Sequence, residues 1–326
     1  MSATGPVFVA GLERTGTSLL YALLASHPNI AMTRRTNWWS FFYGRYDDLA
    51  DDANLERCLA TMRRYRRHRR LEPDFERLRS DFVAGPRTYG RLFALLEEQH
   101  AARLGKARWG DKSLNTERYA PRVFEHFPDA AILHMVRDPR DRYASVIRRW
   151  KGGHGGAGTA TAAWLESMAR GEANVRRWPD RYRFVRYEDL AAQPVETMGA
   201  VCAFISEPFL PSMLEMRGAE AFRDGGNSSY GSLPEGTIST ASIGRFRSVL
   251  KASDIAFIDG VAGASMERHG YAREPIRWRP AVRVRHAVIG LPLNLVRLSA
   301  WRVRERFYDR VGRDPQAHTV VQGELG

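Results

Sequence analysis

The chain alternates short, uniformly apolar runs with longer segments in which apolar residues recur every three or four positions. The first pattern suits strands buried on both faces, the second helices with one face in a core. Pro6 to Gly11 (PVFVAG) is such a run, closed by glycine, and Thr17 to Ser26 follows as a helix with Leu19, Leu20, Leu23 and Leu24 along one side. A second unit begins at Ala131: Ala131 to Val136 reads as a strand, Asp138-Pro139 opens the next element, and Arg140 to Trp150 continues as a helix. Tyr182 to Leu190 (YRFVRYEDL) gives a third strand, followed by a helix through Met198 to Ile205. Strands alternating with helices predict an α/β domain on a central parallel sheet covered on both faces.

Other segments break this pattern. Tyr46 to Arg103 is rich in arginine and helical in periodicity, an insertion between the first two units. Its stretch ATMRRYRRHRRL holds seven basic residues counting His68, and reads as a solvated helix face or as a lid or rim over a site. Lys151 to Ala163 (KGGHGGAGTATAA) reads as a flexible Gly-rich loop, and Arg223 to Ser242 as another long loop. We divide the chain into a domain over residues 1–275, with the insertion at about 46–103, and a C-terminal tail over 276–326.

Charge sharpens the picture. The 326 residues hold 50 Lys+Arg against 37 Asp+Glu, a net charge of +13, which suits an anionic ligand, an anionic membrane or nucleic acid. Between Arg277 and Arg313, however, stand ten arginines and two acids, Glu305 and Asp309, so the tail carries eight of those charges and the rest of the chain is only mildly basic. Val296, Ala300, Val303, Phe307 and Val311 recur there at helical spacing, a stripe suited to packing on the domain or to an anionic membrane surface. Cys58 and Cys202 are too few and too far apart for a disulfide framework or a cysteine zinc site, so a reducing compartment fits best. The first apolar run is too short for a secretory signal, and HAVIGLPLNLVRLSAW is too short and too polar to span a bilayer. A cytoplasmic protein, soluble or peripheral at the inner membrane face, is expected.

The first strand–turn–helix unit carries chemistry. Gly11, Gly16 and Ser18 fit the frame of a phosphate-binding loop, but Thr17 stands where such loops place the lysine that grips a triphosphate. Backbone N–H groups and the positive end of the following helix still make an anion site. Arg14 adds a guanidinium inside the loop, which suits a monophosphate bearing one further acidic group. In the second unit Arg137 ends a strand, Ser145 lies on the next helix and Arg149 one turn beyond it on the same face, a set able to enclose another phosphate. Both sets fall at the carboxyl ends of parallel strands, where ligands of such sheets bind.

GLERTGTSLLYALLASHPNI resembles the 5′-phosphosulfate segment of sulfotransferases that use 3′-phosphoadenosine 5′-phosphosulfate (PAPS), and MVRDPRDRYASVIRRW resembles their 3′-phosphate segment. WGDKS, RYEDLAAQP and SIGRFR…MERHGY resemble further landmarks in the same order, especially in the bacterial and tyrosylprotein branches. The likeness runs from about Pro6 to Tyr271. It implies a P-loop NTPase-like three-layer sandwich with a helical insertion and a C-terminal helical tail. By resemblance, Arg14, Thr15, Gly16, Thr17 and Ser18 bind the phosphosulfate, and Arg137, Ser145 and Arg149 the 3′-phosphate, with Tyr187, Ser229 and Arg245 completing the donor pocket. Lys112 matches the catalytic lysine, whose charge would stabilise the bridging oxygen as the sulfuryl group leaves. PAPS is the expected donor, with no metal, and a hydroxyl on a glycan, glycolipid or small metabolite the expected acceptor; no nucleic acid is expected. A nucleotide kinase-like enzyme and a non-catalytic membrane- or nucleic-acid-binding protein are the competing readings.

The chain departs from the family where several branches place a glutamate base after the "HP" turn: HPNIAMTRRTNWW has Arg34 and Arg35 there, and a guanidinium cannot accept a proton. His154 and Asp111 are the candidate bases; Arg34 and Arg35 are candidates for binding an acidic acceptor or the sulfuryl group. Trp38, Trp39, Phe41, Phe42 and Tyr43 suit a core or a rim that stacks on the acceptor.

Overall fold

A run such as VFVA is buried on both sides only in the middle of a sheet, and there it lies. A computed structural model describes residues 5–150, 155–219, 236–311 and 323–325. Its five strands are β1 (Val7–Ala10), β2 (Ile30–Arg34), β3 (Arg108–Lys112), β4 (Ala131–Val136) and β5 (Tyr182–Arg186). They form one sheet in the order β2-β3-β1-β4-β5, every neighbouring pair parallel. The apolar pattern announces β1, β4 and β5 but not β2 and β3, because IAMTR and RWGDK end in charged residues that the site uses. Register puts Lys112 between Val9 of β1 and Arg34 of β2 at the carboxyl edge.

Alternating side chains of β1 feed two cores. Phe8 and Ala10 pack with Trp38, Trp39, Phe93 and Trp109; Val7 and Val9 pack with Leu19, Leu20, Leu23 and Met135. α1 (Thr17–Ala25) lies on the second face, with Leu19, Leu20, Leu23 and Leu24 all buried. The aromatic cluster after β2 belongs to the first core. Trp38 stacks on Phe93 at 5.1 Å between ring centroids and on Phe42 at 5.5 Å, which excludes the rim reading for these rings.

The insertion consists of α2 (Asp52–Arg64), α3 (Arg66–Arg69), α4 (Phe75–Val83) and α5 (Tyr89–Arg103). Asp51, Asp74 and Thr88 cap α2, α4 and α5 by accepting first-turn N–H groups. In the basic stretch Tyr65 and His68 are buried while most of the arginines face solvent. α6 (Ala120–His126), α7 (Pro139–Arg149), α8 (Gly156–Arg177), α9 (Tyr187–Ala192) and α10 (Pro194–Phe204) complete the crossovers.

Two expectations change. The third strand stops at Arg186, and Tyr187 to Leu190 turns helical because Glu188 and Asp189 suit a helix's first turn. The Gly-rich stretch is not a loop beyond Gly155: α8 starts at Gly156. Gly158 serves close packing there, since a Cβ would lie 2.1 Å from the Asn294 carbonyl oxygen. That carbonyl belongs to the last helix, Leu291–Val311, which lies along α8. The contact face is Leu291, Asn294, Leu298, Trp301 and Glu305. Val296, Val303 and Phe307 of the anticipated stripe are 65%, 67% and 59% exposed instead. A helical period of apolar residues says that a face exists, not which of two faces packs.

Candidate active site

The loop after β1 is built to present backbone. Gly11 and Gly16 have φ of 123° and 97°, and a Cβ on Gly16 would meet the Tyr187 ring at 2.5 Å. Arg14 also sits in the left-handed region (φ 68°), a conformation that costs a non-glycine residue energy and is held by its surroundings. Thr15 closes the turn by donating to the Leu12 carbonyl at 2.8 Å. Gly16 caps α1 and accepts the Leu19 and Leu20 N–H groups at 2.9 and 3.2 Å, so the Thr17 and Ser18 N–H groups at the helix start have no acceptor within the helix.

A buried relay that the sequence does not advertise fixes this loop from below. Glu117 Oε2 accepts the Gly11 N–H at 3.0 Å, and Glu117 Oε1 accepts the Ser167 hydroxyl at 2.5 Å. Ser167 Oγ in turn lies 3.1 Å from His134 Nε2, and His134 Nδ1 lies 2.8 Å from the Tyr182 hydroxyl. Burial lowers the His134 pKa, so its ring is neutral: Nε2–H donates to Ser167 and Nδ1 accepts from Tyr182.

The second phosphate set converges on the same loop. Arg14 Nε donates to Ser145 Oγ at 2.9 Å, and Arg137 Nη1 donates to the Arg14 carbonyl at 3.3 Å. Arg137 lies 4.3 Å over the Tyr187 ring and donates through Nη2 to the Ser242 carbonyl at 2.6 Å, while its buried Nε has no acceptor among the described residues. Asp141, on the buried face of α7, accepts the Gly244 and Phe246 N–H groups at 2.6 and 2.8 Å and so pins the two residues flanking Arg245. Asp138 caps α7, and Arg142 pairs with Glu13, which leaves Arg14 to reach across to Ser145. Arg149 stands exposed one turn beyond Ser145. Ser229 and His154 lie outside the described residues.

Lys112 is 4% exposed at the end of β3. Burial, then the charges of Arg35 and Arg34, with a smaller push from Arg14, hold its pKa down to about 7 against the pull of Asp111. Asp111 itself is fully buried: the Thr33 hydroxyl lies 3.2 Å from its Oδ1 and 2.9 Å from Glu97 Oε1. Burial, and then the charge of Asp111, raise the Glu97 pKa well above the ordinary range.

Arg34 and Arg35 meet Lys112 through a strained turn. Arg35 N–H donates to the Lys112 carbonyl at 2.9 Å, and Arg35 and Asn37 have φ of 57° and 52°. Buried Tyr65 donates to the Arg35 carbonyl at 2.6 Å, buried His68 Nε2 lies 3.2 Å from the Thr36 carbonyl, and Asn37 N–H bonds Ser113 Oγ at 3.2 Å. The insertion thus sets the turn that aims these arginines, a role hidden in its sequence because Tyr65 and His68 sit inside a charged run.

The Gly11–Ser18 loop, the Arg14–Ser145–Arg137 cluster and buried Lys112 thus gather at the carboxyl edge of one parallel sheet. The model of the sulfotransferase family matches residues 6–211. The chain belongs to that family and is a sulfotransferase enzyme, which sets aside the kinase-like and non-catalytic readings. No curated protein matches the chain in sequence. Among solved structures it is similar to the sulfotransferase domain from the curacin biosynthetic pathway, with a TM-score of 0.53 and 18% identity over 83% of this chain and 99% of that one. It is also similar to the sulfotransferase domain of the Synechococcus PCC 7002 olefin synthase, with a TM-score of 0.50 and 21% identity over 76% and 89% of the two chains. At these identities the likeness is one of fold.

Proposed function

We propose that this sulfotransferase draws its sulfuryl group from PAPS and delivers it to a hydroxyl acceptor at the β2–β3 side of the sheet edge. The observation that carries the reading is the Arg14–Ser145–Arg137 convergence. It joins the loop after β1 to α7, so one ligand with two separated phosphates would span both. The buried Arg137 Nε, which has no acceptor among the described residues, fits such a ligand. In this reading Arg14 and the N–H groups of Thr15, Gly16, Thr17 and Ser18 hold the 5′-phosphosulfate. Arg137, Ser145 and Arg149 hold the 3′-phosphate, with Tyr187 and Arg245 beside them. Bound there, the donor supplies an activated sulfuryl group. Lys112 stabilises the charge that develops on the bridging oxygen, and the donor's own negative charge favours the protonated lysine that this role needs.

Asp111 is assigned to positioning β3 rather than to proton removal, because a fully buried carboxyl engaged by Thr33 has no path to an acceptor hydroxyl. His154 keeps its candidacy as base on its sequence alone.

The test is binding of adenosine 3′,5′-bisphosphate by calorimetry in the presence of a chelator, followed by transfer of labelled sulfate from PAPS. Binding without metal is expected, and Arg137→Ala should weaken it by about 1.5–3 kcal/mol, the range for a hydrogen bond to a charged group. Unchanged affinity in that variant would overturn the 3′-phosphate assignment, and no binding at all would overturn the donor.

The tail adds a second surface. Val288, Val296, Val303 and Phe307 are each more than half exposed, among the solvent-facing Arg283, Arg285, Arg302, Arg304, Arg306 and Arg310. Apolar side chains beside arginines match an anionic lipid surface, and we assign this ridge to peripheral membrane contact, which would put the site near a membrane-bound acceptor.

A further inference from the structure

Four arginines outside the donor residues stand on the β2 side of the site, and an acid from the far end of the chain is seated on two of them. Arg34 ends β2, Arg35 opens the turn after it, and Arg66 and Arg67 open α3. The Glu324 carboxylate lies 2.6 Å from Arg66 Nε, and 3.1 and 2.7 Å from Arg67 Nε and Nη2. Arg66 N–H donates to the Glu324 carbonyl at 3.1 Å, and Leu325 forms an antiparallel bridge with Tyr65, the residue that fixes the Arg35 turn. Arg67 gives both bonds to Oε1 and Arg66 holds Oε2, and the side chains of Glu324 and Arg67 are each 11% exposed, so this pair is shielded in a way that ordinary surface pairs are not. The charges of Arg67 and Glu324 both bear on the Arg35 guanidinium, and those of Arg35 and Arg34 bear on Lys112. A series of cations therefore runs from Lys112 to the Glu324 carboxylate.

We propose that this arginine cluster is the subsite for an anionic group on the acceptor, and that Glu324 is its internal occupant, so that the C-terminus competes with an acidic acceptor. The proposal rests on the sulfotransferase reading of the donor site. Its chemistry follows from what the cluster offers. Guanidinium groups cannot take the acceptor's proton, but their planar forks fit a carboxylate, a phosphate or a sulfate. Because Glu324 is tethered, its effective concentration at the cluster is high, and an acceptor must displace it.

The test uses protein saturated with adenosine 3′,5′-bisphosphate, so that the donor phosphate sites are filled. A chain ending at Gln322 is titrated with the peptide VVQGELG, which is residues 320–326, and with its Glu324→Gln form. The native peptide should bind the shortened chain at least roughly tenfold more tightly than it binds the full chain, and more tightly than the glutamine form by a similar factor. Arg67→Ala in the shortened chain should remove that preference. As a small acidic probe, 4-hydroxyphenylacetate should displace the peptide, and its neutral amide should not. In the full-length chain Glu324→Gln should tighten binding of 4-hydroxyphenylacetate by roughly tenfold, a measurement that does not depend on the shortened chain folding. Equal peptide binding by the full and shortened chains, equal displacement by the acid and its amide, or an unchanged affinity in Glu324→Gln would each overturn the proposal. Loss of bisphosphate binding would instead count against the donor reading, and bisphosphate binding without peptide binding would sink this inference alone.

Discussion

Lys112 concentrates the residue-scale question, because its environment works against its own charge. Held down to about 7, it is mostly neutral in the free protein above that pH, whereas an unperturbed lysine stays charged to about 10.4. An anionic ligand beside it favours the protonated form, so adenosine 3′,5′-bisphosphate should bind with net proton uptake at about pH 8, and its affinity should fall as pH rises from about 7 toward 10. Calorimetry in two buffers of different ionisation enthalpy reads the uptake, and Lys112→Ala should abolish it; uptake that survives in the variant would place the titration elsewhere. The same substitution should lower kcat and kcat/KM together by roughly 10²–10³, the scale for removing one donor that acts in the transition state. Normal turnover in Lys112→Ala would refute the catalytic role. Lys112 itself was legible through the WGDKS landmark. Its depressed pKa was not, since its burial, and the arginines that come to it from β2, the turn after β2 and the loop after β1, arise only when the sheet assembles.

Among elements, the loop after β1 depends on helices that are distant in sequence. Glu117 and Ser167 join Gly11 to α8 and, through His134 and Tyr182, to β4 and β5. Glu117→Gln leaves one acceptor oxygen for two donors and turns an amide N–H toward one of them. It should therefore weaken bisphosphate binding by about tenfold, within the ~1–3 kcal/mol range for a buried group left unsatisfied. Tyr182→Phe, at the far end of the relay, should change donor affinity by less than about twofold while still lowering stability by about 1 kcal/mol. Parallel calorimetry and thermal melts separate the two, and equal donor affinities in both variants would mean that the relay does not position the loop. The first core makes a plainer prediction: Trp38→Ala removes a fully buried ring stacked on Phe93 and Phe42 and should cost about 3–5 kcal/mol in denaturant unfolding. A cost under about 1 kcal/mol would return these aromatics to a rim.

For the whole molecule, the last helix decides how the basic tail is to be understood. It is tied to α8 by Asn294, Leu298 and Trp301, and to α8 and the segment before α6 by the pairs Asp309–Arg170 and Glu305–Arg118, so cutting the chain near Arg277 would strip a packed face and not merely a charged one. Substitution on the outer ridge is the sharper probe. Val303→Asp with Phe307→Asp should abolish sedimentation with vesicles of phosphatidylserine and phosphatidylcholine while leaving bisphosphate affinity and melting temperature near wild type. Binding by the double variant equal to wild type, or none by the unaltered chain at low salt, would remove the membrane role. By itself the sequence determined the strand–turn–helix units, the phosphate-binding loop with threonine in place of lysine, the order of the family's landmarks and the separation of charge between domain and tail. All of these are local patterns, set by residues within a turn or two of one another. Only the tertiary structure decided which helical face packs, that β2 and β3 complete the sheet, and that Glu117 supports the loop. It also brought Glu324 to Arg66 and Arg67, because each of these pairs residues that lie tens to hundreds of positions apart and meet only once the core has closed.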